Sequence, residues 1–121
     1  MIKFEVDQPQ NLLVIRFSGA VGSVETKESL VQIQSGLAKL KSGFRLLADL
    51  TELQSMEVAC APFIEKAMDL CNEKGIATVV RVIPDPHRDI GLQIMSIFHY
   101  GSGVQIITCE TLDKAAELLG G

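Results

Sequence analysis

The sequence predicts an α/β fold: one mixed sheet of about five strands with helices between them, in the order β-β-α-β-α-β-α-β-α. Three observations carry this. Two short apolar stretches lie close together at the start of the chain, which suits an antiparallel hairpin. Beyond them, short apolar runs alternate with segments of helical periodicity, the mark of parallel strands joined by right-handed crossovers. Finally, the 121 residues contain no repeat, linker or low-complexity tract, so a single domain spans 1–121.

The first strand is expected over residues 1–6, where Ile2, Phe4 and Val6 alternate with Lys3 and Glu5. Asp7-Gln8-Pro9-Gln10-Asn11 is a turn, and residues 12–17 return as the second strand. Ser18-Gly19-Ala20-Val21-Gly22 reads as a break, with Ser23 as the cap of a helix over residues 24–41. In that helix Leu30, Ile33, Leu37 and Leu40 recur at three- and four-residue steps, and Gly43 ends it. Residues 44–50 form a buried strand, and residues 51–56 form the turn at its carboxyl end. Pro62 is acceptable only in a first turn, so the next helix starts between Val58 and Ala61 and closes at Gly75. Residues 76–83 are a β-branched run broken only by Arg81, hence a central strand buried on both faces. Pro84-Asp85-Pro86 stops it and Asp85 caps a further helix. Residues 104–109 are the last strand, and Thr111 caps a final helix carrying Leu112, Ala115 and Leu119.

The third strand ends in Ala48-Asp49-Leu50-Thr51. With the element order, this resembles the STAS domain of bacterial anti-sigma-factor antagonists and their relatives, over nearly the whole chain. The resemblance implies a STAS-like mixed sheet and a non-enzymatic regulatory module that binds protein. Members of the family read D-L-S and then D-S-S-G at the following helix. The first serine of the second motif is phosphorylated by a partner kinase and dephosphorylated by a phosphatase. Here Asp49-Leu50-Thr51 stands for D-L-S, and Glu57-Val58-Ala59-Cys60 stands for D-S-S-G. Val58 has no hydroxyl. A phosphate would add about −1.5 to −2 charges beside a helix amino terminus, and valine cannot accept it. Ser55 and Thr51 are nearby hydroxyls, but neither occupies the motif position. The resemblance therefore implies the fold without the usual serine switch, and partner binding at Leu53, Ser55, Met56, Glu57 and Val58. The lipid-carrying CRAL-TRIO domain, which shares a STAS-like core, is a looser relative.

Composition narrows the classes further. A net charge of −4 counts against nucleic acid, because phosphate binding needs surplus lysine and arginine. A hydrophobic share of 47% is rich for a soluble domain and points to a self-association surface. No apolar run reaches membrane-spanning length, and Lys3, Glu5 and Asp7 stand where a signal peptide would be apolar, so a cytoplasmic location is expected. Cys60, Cys71 and Cys109 show no C-x-x-C spacing and suit free thiols in a reducing compartment.

Residues 90–100 depart from an ordinary amphipathic helix. Ile90, Ile94, Ile97 and Phe98 share one face, while Leu92, Met95 and Tyr100 fall outside it. A helix apolar on both sides is covered twice: by another helix of the chain, by a second subunit, or by a small apolar ligand. Leu92, Met95 and Tyr100 are the expected homodimer contacts. His87 and Arg88, in the turn before them, could hold an anion at a helix amino terminus; alternatively Asp85 caps, Asp89 complements the dipole and Arg88 is solvated. Cys60 could be a first-turn nucleophile if a base lay beside it, yet Ala59, Ala61 and Pro62 make its neighbourhood apolar. The histidine spacing supports no metal site. No catalytic residue and no cofactor are assigned, and the alternative to a protein-binding module is a carrier of a small apolar or acyl ligand.

Overall fold

Alternating side chains in Ile2–Asp7 (β1) and the apolar run opening Leu12–Val21 (β2) build an antiparallel hairpin that pairs Ile2 with Phe17 and Asp7 with Leu12. The computed structural model that reveals it describes residues 1–83 and 103–120. Ser23–Ala38 (α1) leads to Arg45–Met56 (β3), which lies parallel to β2. A 3-10 turn, Val58–Cys60, and Ala61–Lys74 (α2) lead to Thr78–Val82 (β4). Gln105–Cys109 (β5) and Leu112–Leu118 (α3) follow. The sheet order is β1-β2-β3-β4-β5, with every pair after the first parallel. The expected mixed five-stranded sheet is present, with β4 between β3 and β5.

Strand alternation divides the core between the two faces of the sheet. Leu13, Ile15, Leu46 and Val79 pack on one face against Ile33, Leu37 and Leu40 from α1 and its end, and Met68 and Cys71 from α2. Leu12, Val14, Leu47, Val80 and Val82 pack on the other against Ala115 and Leu119 of α3 and its end. Gly36 lets α1 approach the hairpin: a Cβ there would lie 3.3 Å from Val6 Cγ2 and 3.4 Å from Leu13 Cδ1. Gly75 ends α2 at φ 98°, where a side chain would be strained. The Thr111 hydroxyl accepts from the Lys114 backbone N–H at 3.1 Å, the cap expected for the last helix.

Three expectations are corrected. Residues 18–21 are not a break, and residues 51–56 are not a turn: both are strand, paired from Ser18↔Glu52 to Val21↔Met56. The register slips by one residue between Arg16 and Ser18 and again between Gly19 and Ala20, each time with an extra residue in β3. Such bulges let a stretch with turn-like composition stay in the ladder. At the first slip Asp49 Oδ1 takes the Thr51 N–H at 3.0 Å and the Thr51 hydroxyl at 2.7 Å, satisfying locally what the ladder leaves open. The third concerns Ser23, which is the first residue of α1; Gly22 is the N-cap and, as glycine, has no side chain with which to cap.

Candidate functional site at the carboxyl end of the sheet

The ends of β2 and β3 meet the starts of α1 and α2 in one interlocked corner. The Glu57 N–H donates to the Val21 carbonyl at 3.1 Å, closing β3 onto β2. The Glu57 carboxylate then reaches back, and its Oε1 accepts the Ser23 N–H at 3.0 Å. A negative group at a helix amino terminus complements the helix dipole and satisfies an orphan donor. Gly22 makes room for it, since a Cβ there would stand 2.7 Å from Glu57 Oε1. The cap of α1 thus comes from a residue far along the chain.

Beneath this corner the polar groups are used internally. Thr26 Oγ1 donates to the Gly22 carbonyl at 2.9 Å and sits 3.3 Å from Cys60 Sγ. Cys60 in turn donates to the Val21 carbonyl at 3.7 Å and is 0% exposed. It is packed as a small core residue rather than presented to a substrate, which removes the geometric basis for a first-turn nucleophile. Cys71 and Cys109 are also buried free thiols, and burial pushes the Cys71 thiol up to about 12.

The outer surface of the corner carries two well-exposed valines. Val58 is 85% exposed and Val24, in the first turn of α1, is 70% exposed. Ser23 and Glu57 are bonded neighbours, so the valines that follow them stand at the same end of the molecule. Of the expected partner-binding residues, Glu57 and Val58 lie at this tip, and Ser55 is exposed. Leu53 and Met56 are half-buried on the extended part of β3. The Thr51 hydroxyl is occupied by Asp49, whose other oxygen faces Arg16 Nε at 3.5 Å.

A second feature lies between the sheet and helices α1 and α2: a cavity of about 80 Å³ walled mainly by apolar side chains such as Ile15, Ile33, Ala67 and Met68. Arg81, 3% exposed, lines it from β4, and its Nη2 donates to Thr108 Oγ1 on β5 at 2.8 Å. Val24, Gly22 and Arg81 were not singled out from the sequence as site residues. The signal for Arg81 was the lone charge in a β-branched run; for Gly22 and Val24 there was none without knowing where β3 ends.

His87 and Arg88 (the anion site), and Leu92, Met95 and Tyr100 (the dimer contacts), lie outside the described residues. Among the described residues no group of histidine, cysteine or carboxylate side chains could hold a metal ion. Nor is any described helix long and apolar enough to cross a membrane.

Comparison with solved structures places the fold. An uncharacterized protein of the DUF3478 family with a SpoIIAA-like fold, from Shewanella loihica PV-4, superposes with a TM-score of 0.72 at 18% identity, over 98% of this chain and 92% of its own. The anti-sigma factor antagonist SpoIIAA in its unphosphorylated form gives 0.65 at 14% identity, over 100% and 99%. An anti-sigma factor antagonist from Mycobacterium paratuberculosis gives 0.58 at 21% identity, over 100% and 96%. No protein-family model matches the chain, and no curated protein does. The protein therefore has the SpoIIAA-like, STAS-like fold that its element order suggested.

Proposed function

We propose that the protein is a regulatory protein-interaction module that docks a partner at the tip formed by Glu57, Val58 and Val24, without a serine switch at that tip. The observation that carries this reading is Val58: an 85% exposed aliphatic side chain on a turn whose backbone is tied down on both sides. Exposed apolar groups on a rigid frame favour docking, because little conformational entropy is lost when they are covered. The SpoIIAA-like fold supports the same reading, since two of the similar structures are anti-sigma factor antagonists.

The test is a substitution that charges the tip. Val58→Glu is expected to leave the melting temperature within the small range of surface changes, about ±0.5 kcal/mol in stability. It is expected to abolish binding of a partner that wild-type protein retains from extracts of the native host and that rebinds in purified form. Equal binding by both proteins would contradict the assignment of the tip.

The apolar pattern of Leu92, Met95 and Tyr100 supports self-association as well. Light scattering on a size-exclusion column at micromolar protein is expected to give twice the chain mass; a monomer would count against it.

A further inference from the structure

Helix α1 carries a second exposed valine besides Val24. Val31, two turns further on, is 66% exposed against 70% for Val24. Lys27 and Glu28 stand between them and are exposed as well. At helical spacing these four side chains fall within an arc of about 100°, on the side opposite buried Ile33 and Leu37. Among the described residues neither Lys27 nor Glu28 forms an ion pair.

The order of these residues is its own complement, because the midpoint between Val24 and Val31 is also the midpoint between Lys27 and Glu28. A second α1 laid antiparallel, with a two-fold axis through that point, sets Val24 against the partner's Val31 and Lys27 against the partner's Glu28. Symmetry makes each contact occur twice. We infer that this face of α1 is the seam of a two-fold homodimer in which the two α1 helices pack antiparallel. The inference rests on the self-association reading above and gives the contact a place other than Leu92, Met95 and Tyr100. A second copy suits the stripe because every charge then faces its opposite. A parallel pair in register would instead set Lys27 beside Lys27 and Glu28 beside Glu28. The valines of both copies supply the apolar area, while exposed ion pairs fix register more than they add affinity. Val58 is not one of the paired positions, so Val24 alone is shared with the docking tip.

Sedimentation velocity over a micromolar concentration series tests the seam on the purified chain. Wild type is expected to dimerise. Val31→Glu is expected to weaken the dimer by at least about tenfold, since it places a charge where valine meets valine in both copies. The site is exposed and glutamate favours helix over valine, so the fold is kept, with circular dichroism as the check. Lys27→Glu is expected to weaken the dimer about tenfold at low salt, because two attractive pairs become repulsive. The exchange Lys27→Glu with Glu28→Lys should return wild-type affinity, as the two-fold axis again sets each charge against its opposite. A monomeric wild type would overturn the self-association reading and the seam with it. A dimer undiminished in Val31→Glu, or an exchange variant no tighter than Lys27→Glu, would overturn the seam alone.

Discussion

Val58 and Cys71 show how the same chain treats two apolar side chains in opposite ways. Val58 is held outward on a turn fixed by the Glu57 carboxylate, and nothing among the described residues covers it. Cys71 is sealed under α2, and burial lifts its thiol from 9.0 to about 12. The sign of the resulting pH effect follows from proton counting. Below pH 9 both folded and unfolded thiols hold their proton, and the full stabilisation is present. Above it the unfolded state releases the proton first, so stability falls as pH rises from 9 towards about 12. The slope approaches about 1.4 kcal/mol per pH unit for one group. Urea unfolding of wild type and Cys71→Ala between these pH values is expected to show a stability difference that narrows as pH rises; a constant difference would refute the effect. At this scale the sequence was informative about identity rather than surroundings. It showed that position 58 lacks a hydroxyl, but not that Glu57 bonds to Ser23, because that bond joins residues brought together only by the β2–β3 ladder.

Elements were legible wherever one periodicity ruled. The alternation in β1, the leucine and isoleucine spacing in α1, the β-branched run of β4 and the Thr111 cap of α3 all appear as expected, with ends shifted by a few residues. The failure was at β3. Thr51, Glu52, Gln54 and Ser55 have the composition of a turn, yet they stay paired to β2 through two register slips. Polar turn-like composition decides the local preference, but a neighbouring strand that also continues can override it, as strand propensity depends on context. Gly75 illustrates an element boundary set by geometry as well as by composition. It sits at φ 98°, and a Cβ would run into Ser42. Gly75→Ala is expected to destabilise the protein by ~1–2 kcal/mol in chemical denaturation, from the left-handed backbone alone. Adding Ser42→Gly should return only the part due to contact, and full recovery would show that the backbone conformation carries no cost.

Across the whole molecule, the fold was readable because layer architecture follows from the order of elements rather than from particular residues. Structures sharing 14% and 18% identity with this chain superpose over nearly all of it. Function was less readable for the same reason: a fold of this kind tells which end of the sheet carries loops and helix starts, but the chemistry there rests on a few side chains. In this chain the proposed docking tip rests on Glu57, which braces it, and on the exposed Val58 and Val24. Site-specific photo-crosslinking in the native host tests the central claim most directly. With the crosslinker at position 58, a single covalent adduct to a second protein is predicted, absent when the crosslinker sits at exposed Gln10 in the β1–β2 turn. Equal adducts from both positions, or an adduct at position 58 only to another copy of this chain, would contradict it.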